Sequence, residues 1–128
     1  LPFDVNAPII EIADEDYALW YRDMGENLDT YDGKTVHFKG MVAHNRQLPA
    51  DAFVIGRDVM TCCVEDITFA GMVAQWQGAI ALGQKDWVTV TAEIRMQEHK
   101  LYGRRGPVLK ITKLEKAAPP DQPVATFY

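Results

Sequence analysis

The sequence predicts a mainly β domain in which one α-helix precedes five short strands. Residues 14–32 repeat apolar and aromatic side chains every three or four positions, the period of a helix buried along one stripe. Residues 34–116 instead show the two-residue alternation of strands. Five successive strands, with an irregular connection between the third and the fourth, match a five-stranded OB-like Greek-key barrel. Another Greek-key barrel and a small β-sandwich are the alternatives.

The helix pattern begins in an acidic turn and ends at a glycine. Asp14, Glu15 and Asp16 suit the first turn, because carboxylates there can cap free amides and face the positive end of the helix dipole. Gly33 is the expected stop. The buried stripe is expected to contain Tyr17, Trp20, Tyr21, Met24, Leu28 and Tyr31.

Five strands are predicted at residues 35–42, 52–64, 67–74, 87–95 and 108–114. The second contains Gly56, Arg57 and Asp58, which predict a bulge or a bend. Residues 75–84 fit either a short helix or an irregular connection. Residues 97–107 contain two glycines and a proline and are expected to form an exposed loop. In the fourth strand the inward side chains are expected to be Val88, Val90, Ala92 and Ile94.

Length and composition predict a single OB-like domain. The chain has 128 residues, of which 48% are hydrophobic and 24% charged, as in ordinary soluble globular proteins. We expect an extended arm at 1–13, the helix at 14–32, the barrel at 34–116 and a tail at 117–128. Because the chain begins with Leu1, we expect it to be part of a longer protein.

Charge is distributed unevenly along the chain. Residues 95–116 hold seven basic and two acidic residues, a net charge of +5, while the rest of the chain carries −10. This distribution argues against general nucleic-acid binding but leaves a local basic patch possible.

The adjacent residues Cys62 and Cys63 are the only cysteines. Neighbours on a strand point to opposite faces, so one thiol is expected inside and one outside unless the strand ends there. A disulfide between neighbours is strained and closes no loop, so the pair does not indicate a secreted disulfide framework. The favoured interpretation is one cysteine packed as a small hydrophobe beside a neighbour that faces a pocket.

Metal binding is a second interpretation of the cysteines. Thiolates are ligands for zinc and copper(I). Nitrogen ligands could come from His37, His44 and His99. A closed structural zinc site usually draws on cysteines about two to four residues apart, which an adjacent pair does not provide. The sequence therefore favours a weak or transient metal site over a closed one, with Cys62, Cys63 and Asp66 as candidate ligands.

The segment 97–107 suggests single-stranded nucleic-acid binding as an alternative function. An OB barrel binds single strands with basic residues and stacking aromatics, partly from the loop between its fourth and fifth strands. The candidate residues here are Lys100, Tyr102, Arg104 and Arg105. A solvated, charge-rich hairpin loop is the favoured interpretation of this segment, because the rest of the chain is acidic.

Enzymatic chemistry has no signature in the sequence. The acidic residues form no recognisable acid/base pair, and no glycine-rich phosphate loop is present. The chain is therefore predicted to be a non-enzymatic protein.

Three segments in the middle of the chain resemble a known family. They are a Gly-Lys strand motif at residues 33–42, the segment 57–66 with its Cys-Cys-x-x-Asp core, and a Trp-Val-x-Val motif at residues 87–90. This order resembles the soluble domain of YcgQ-like bacterial membrane proteins, which are predicted permease accessory subunits. The match covers about residues 30–95, and the Cys-Cys-x-x-Asp core is its specific part.

The resemblance implies a location and a partner. The domain would lie on the extracytoplasmic side of a bacterial membrane and act as a binding or accessory domain beside a multi-spanning permease. Membrane attachment would come from N-terminal transmembrane helices outside this sequence, not from the domain itself. Arg57, Cys62, Cys63 and Asp66 occupy the family's motif positions and are the expected ligand site.

Overall fold

The computed structural model describes residues 1–127, and Tyr128, the last residue of the predicted tail, lies outside them. The described residues form seven strands: β1 Ile10–Glu11, β2 Thr35–Ala43, β3 Ala52–Met60, β4 Ile67–Gln75, β5 Trp87–His99, β6 Arg104–Lys116 and β7 Ala125–Thr126. The two α-helices are α1 Tyr17–Glu26 and α2 Leu28–Tyr31. Short 3-10 turns occur at Asp14–Asp16, Val64–Asp66 and Ala79–Ala81. The predicted mainly β class with a short leading helix is confirmed.

All seven strands belong to one mixed sheet, in the order β1-β2-β5-β6-β4-β3-β7. An additional antiparallel pairing joins β2 to β3, so the five long strands form a ring of pairings. Around that ring only β4 and β6 run parallel, with Val73 opposite Val108. The side chains of β5 predicted to point inward are all buried.

The predicted single helix at 14–32 is interrupted, and Asn27 is the cause. Its backbone angles, φ −137° and ψ 58°, lie outside the helical region. Its side-chain Nδ2 donates to the Asp23 carbonyl oxygen at 3.1 Å. An asparagine side chain that bonds locally to the backbone competes with helix continuation. The chain therefore forms α1 and α2 as separate segments, after a 3-10 turn at Asp14–Asp16.

The helical segment contributes aromatic side chains to the core. Tyr17, Trp20 and Tyr31 are almost fully buried, and the Trp20 ring lies 4.8 Å from that of Phe38 on β2. The Tyr17 hydroxyl donates to the Ala70 carbonyl oxygen on β4 at 2.6 Å. These contacts join α1 to two strands of the ring.

The predicted loop at 97–107 is mostly strand, which corrects the sequence-based expectation. β5 continues to His99 and β6 begins at Arg104, so only residues 100–103 turn. Gly103 provides the positive φ of 66° that this turn requires. Pro107 is accommodated within the β5–β6 register, opposite Met96. Gly103 and Pro107 are therefore part of a long β-hairpin and do not indicate a loop.

The predicted bulge at Gly56–Asp58 is also wrong. β3 and β4 pair without a register shift from Ala52 opposite Gln75 to Met60 opposite Ile67. Gly56 lies opposite Gly71, so the two backbones can approach closely. The predicted strand 52–64 ends early, at Met60.

Both termini contribute to the sheet. β1 pairs in parallel with β2 through Ile10 and Val36, and β7 pairs in parallel with β3 through Ala125 and Val59. Ala125 is buried, so the predicted tail contributes to the core. Within residues 1–127, no helix has the length and apolar character needed to cross a membrane.

We expect Gly56→Ala to destabilise the domain by about 2–3 kcal/mol, because overpacking between paired strands forces the backbone to move. An added Cβ would overlap the Ala70 carbonyl oxygen and lie 2.5 Å from the Gly71 Cα. Gly25→Ala is the matched control, since nothing lies within 4 Å of its added Cβ, and helix propensity should stabilise that variant by about 0.5 kcal/mol. Urea unfolding measures both, and equal midpoints would contradict the close approach.

Candidate functional site

The hairpin between β3 and β4 carries the cysteines. The last buried residue of β3 is Val59, and residues 61–69 are all exposed. After Met60 the chain bends through residues 61–63 and enters the 3-10 turn Val64–Asp66 before β4 begins. This exposed segment, residues 61–66, is called the hairpin tip below. The side chains at the hairpin tip are therefore open to solvent and to partners.

Three side chains converge at the hairpin tip. The Cys62 Sγ lies 2.5 Å from Asp66 Oδ2, and the Cys63 Sγ lies 3.3 Å from the same oxygen. The two sulfur atoms are 3.4 Å apart, and both cysteines are free thiols. The tight 3-10 turn brings residues three and four positions apart together. Cys62, Cys63 and Asp66 are called the thiol–carboxylate cluster below.

Both cysteines are exposed, so the prediction that one of them packs inside is wrong. The alternation argument applies only within a strand, and β3 ends two residues before Cys62. Beyond that point both side chains can face the same carboxylate.

Hydrogen bonds to carboxylates favour the protonated, thiol form of Cys63. The pKa of Cys63 is raised, first by its hydrogen bond to Glu65 and then by those to Cys62 and Asp66. The pKa values of Glu65 and Asp66 are lowered by the same thiol contacts. A nucleophilic cysteine needs the opposite shift, so Cys63 does not have the environment of a catalytic thiolate.

The histidines considered as metal ligands lie elsewhere. His37 Nδ1 is 2.7 Å from Glu11 Oε2, and His44 Nε2 is 2.6 Å from the Leu82 carbonyl oxygen. His99 Nδ1 accepts a hydrogen bond from the Leu101 amide at 3.1 Å. Within residues 1–127, the thiol–carboxylate cluster is the one group of three such side chains whose ligand atoms lie within 4.8 Å of one another.

Arg57 occupies a different environment from the cluster. It follows Phe53 and Ile55 on the inward face of β3, and its side chain is only 1% exposed. Its Nε donates to the Lys39 carbonyl oxygen at 3.2 Å, and its Nη1 donates to the Asp14 carbonyl oxygen at 3.2 Å. The Asp14 carboxylate completes a salt bridge with Nη2.

Two aromatic rings also enclose the Arg57 guanidinium. Its carbon lies 5.3 Å from the Trp87 ring centre and 5.7 Å from that of Tyr17. Cation–π attraction of this kind strengthens when the cation is desolvated. Among the described residues, none of these contacts involves the thiol–carboxylate cluster, so the structure gives Arg57 a role in the fold.

The nucleic-acid candidate Tyr102 is engaged inside the protein. Its hydroxyl accepts a hydrogen bond from the Val73 amide and donates to the Pro107 carbonyl oxygen, both at 2.8 Å. Its ring packs directly over Gly106. Burial raises the pKa of Tyr102 to about 12. A ring held in this way has little freedom to stack on a base.

The arginines near this turn border a cavity. The cavity of about 290 Å³ lies between α1 and parts of β4 and β6. Arg105 pairs with Asp29 at 2.8 Å and Asp32 at 3.6 Å. Arg104 lines the cavity and makes no ion pair within residues 1–127, and Lys100 is exposed on the turn. The basic segment therefore presents fewer free charges than its sequence indicates.

The chain matches a family model described as the DUF1980 C-terminal domain over residues 3–125. It belongs to the DUF1980 family. DUF1980 is the YcgQ-like family, so the resemblance carried by the Cys-Cys-x-x-Asp segment is confirmed at the level of the family. The matched range of this DUF1980 domain includes the whole β3–β4 hairpin and the hairpin tip. A search among curated proteins finds no match.

We expect Asp14→Asn to destabilise the DUF1980 domain by about 2 kcal/mol, because it leaves the buried Arg57 guanidinium without its counter-charge. The loss should be smaller than for a fully buried pair, since the Asp14 side chain is 43% exposed. Glu15→Gln, in the same acidic turn, is the control. Denaturant unfolding followed by tryptophan fluorescence tests this, and equal midpoints for the two variants would refute the role of the pair.

Tyr102→Phe should destabilise the domain by about 1–2 kcal/mol, because the Val73 amide loses its acceptor. Tyr21→Phe is the matched control, since the Tyr21 hydroxyl makes only a long, 3.5 Å contact with the Gly71 carbonyl oxygen. Thermal unfolding of the two variants measures the difference. A larger effect for Tyr21→Phe would show that the Tyr102 contacts are not structural.

Proposed function

We propose that this DUF1980 domain is a non-enzymatic, extracytoplasmic binding and accessory domain of a bacterial membrane permease system, and that its ligand site is the thiol–carboxylate cluster. The observation that carries the proposal is the convergence of Cys62, Cys63 and Asp66 on an exposed hairpin tip. These residues are also the specific part of the family resemblance.

The setting of the cluster favours capture and release over catalysis. Enzymes stabilise charged transition states with preorganised groups in sites that exclude water. Here all three side chains are exposed, so a ligand can reach them directly and leave directly. An accessory domain that binds a species and presents it to a permease requires this accessibility.

Apolar side chains beside the cluster support contact with a partner protein. Val64 is 74% exposed, Ile67 37% and Phe69 38%. Ile67 and Phe69 are two residues apart on β4, so they point to the same face of the hairpin. Neighbouring exposed apolar residues are typical of protein interaction sites. We take the permease subunit to be the partner at this face.

The proposal also includes the fold type: the ring of five strands is taken to be an OB-type Greek-key barrel. In its support, β2 pairs with both β3 and β5, and β4 pairs in parallel with β6. This arrangement is compatible with a five-stranded OB barrel. In such a barrel the cluster would stand on the hairpin between the second and third barrel strands. Membrane anchoring would come from segments outside this domain.

The nucleic-acid alternative has less support than the accessory function. Its stacking residue Tyr102 is bonded internally, and Arg105 is paired with two aspartates. Single-strand binding by an OB domain depends on accessible aromatics and free basic residues. Within residues 1–127, Lys100 and Arg104 are the basic residues of the segment 97–107 that make no ion pair.

The proposal is tested with the full-length protein in bacterial membranes. A membrane-impermeant maleimide should label the wild type in intact cells, and the Cys62→Ser/Cys63→Ser variant should lose that labelling, because both thiols are exposed. The permease should co-purify with the wild type, and Phe69→Asp should reduce its recovery at least about tenfold, since a charge is placed in the apolar face.

Thr68→Asp is the matched control for the recovery experiment, because Thr68 is exposed on β4 between Ile67 and Phe69 and its side chain points to the opposite face. It should leave the recovery of the permease unchanged. Labelling that appears only after the cells are lysed, with a metal chelator present in both samples, would refute the extracytoplasmic location. Equal recovery of the permease with wild type and Phe69→Asp would refute the docking role of the hairpin.

A further inference from the structure

We infer that the thiol–carboxylate cluster binds one Zn²⁺-class ion through Cys62 Sγ, Cys63 Sγ and Asp66 Oδ2 and keeps its fourth coordination position open. The inference rests on the proposed function, because it names the ligand of that same site. It adds the chemical class of the ligand, the number of protein donors and the means by which the ion is passed on.

The spacing of the donor atoms is close to that of a tetrahedral zinc site. With Zn–S bonds of about 2.3 Å and a Zn–O bond of about 2.1 Å, a tetrahedron places two sulfurs about 3.8 Å apart and sulfur and oxygen about 3.6 Å apart. The sulfurs lie 3.4 Å apart, and Cys63 Sγ lies 3.3 Å from Asp66 Oδ2. Only the 2.5 Å contact between Cys62 and Asp66 must open, by about 1 Å.

Adjacent cysteines do not prevent this geometry at the hairpin tip. The usual spacing of zinc-binding cysteines allows a turn to direct both sulfurs to one point. Here the chain has already left β3, and the 3-10 turn brings Asp66 back over both thiols. The turn therefore provides a convergence that a regular strand would prevent.

The donor set selects the class of ion. Two thiolates favour zinc over calcium and magnesium, which take oxygen ligands. One carboxylate in place of a third sulfur favours Zn²⁺ over copper(I), which prefers soft donors. On binding, each thiol releases its proton to solvent as its Zn–S bond forms. Two thiolates, one carboxylate and Zn²⁺ then give the site a net charge of −1.

Three protein donors leave one tetrahedral position for an exchangeable ligand. Closed structural zinc sites have four protein ligands, whereas open sites keep a position for water or an incoming group. Because the cluster is exposed, a thiolate or imidazole of the permease can reach that position. The arrangement suits an ion that is accepted and then transferred.

The inference is tested on the reduced domain, 1–128, under anaerobic conditions. Titration against a colorimetric zinc chelator should give one Zn²⁺ per chain, and bound Co²⁺ should show tetrahedral d–d bands with thiolate charge-transfer absorption. Cys62→Ser, Cys63→Ser and Asp66→Asn should each weaken binding at least about tenfold, since even the loss of an outer-shell partner costs about 10–100-fold. Circular dichroism should show that these exposed substitutions leave the fold intact.

Two further variants test which side chains hold the ion. Asp58→Asn, on the same hairpin but outside the cluster, should leave zinc affinity unchanged. Glu65→Gln tests the open position, because Glu65 hydrogen-bonds to Cys63 and is the nearest carboxylate outside the cluster along the chain. Unchanged Co²⁺ d–d bands in this variant support three protein donors, whereas altered bands would indicate a fourth donor and overturn the open position. Affinity alone does not decide this, because the loss of an outer-shell partner also costs about 10–100-fold.

Other outcomes separate this inference from the proposed function. Calcium or magnesium competing at equal concentration, or Co²⁺ binding without thiolate absorption, would overturn the zinc site. If zinc binds as expected but the permease does not co-purify with the full-length protein, the accessory function fails and the metal site stands. If the permease co-purifies but the domain takes up no zinc, the accessory function stands and the ligand assignment fails.

Discussion

The buried Arg57 guanidinium is the interaction on which the arrangement of this domain depends. A desolvated charge is tolerated only where hydrogen bonds and an opposite charge compensate it. Asp14 supplies the charge from the leading segment, the Lys39 carbonyl accepts from β2, and the rings of Tyr17 and Trp87 enclose the group. One side chain thus joins the start of the helical region to β2, β3 and β5. The helical region is held in place by polar as well as apolar contacts.

The same strand that holds Arg57 also positions the thiol–carboxylate cluster. Along β3 the inward positions are filled as far as Val59, and the chain then leaves the core. β4 pairs with the full length of β3, so the hairpin tip is carried on two ordered strands. The cluster itself forms within five consecutive residues, Cys62 to Asp66. Its geometry is therefore local, while its accessibility depends on where the two strands leave the core.

Charge pairing explains why the basic segment differs from its sequence pattern. Arg105 meets Asp29 and Asp32 from the helical region, although they lie more than seventy positions away in the chain. Lys116 meets Asp86 at 3.2 Å. The net charge of a sequence segment does not count acidic residues from other parts of the chain that folding places beside it. The predicted positive surplus of residues 95–116 is consequently reduced by acidic residues from elsewhere.

The sequence alone determined the mainly β class, the approximate strand positions and the chemical composition of the candidate site. Those features depend on local periodicity and on residue type, as the buried side chains of β5 and the Cys-Cys-x-x-Asp segment illustrate. Tertiary structure alone decided that Arg57 lies in the core, that Tyr102 bonds to β4 and that both cysteines are exposed. Arginine, tyrosine and cysteine side chains occur both on the surface and in the interior of proteins, so residue type alone does not predict their burial. The environments of Arg57 and Tyr102 depend on contacts between residues far apart in the chain, and the exposure of the cysteines depends on where β3 and β4 leave the core. No local pattern in the sequence records either.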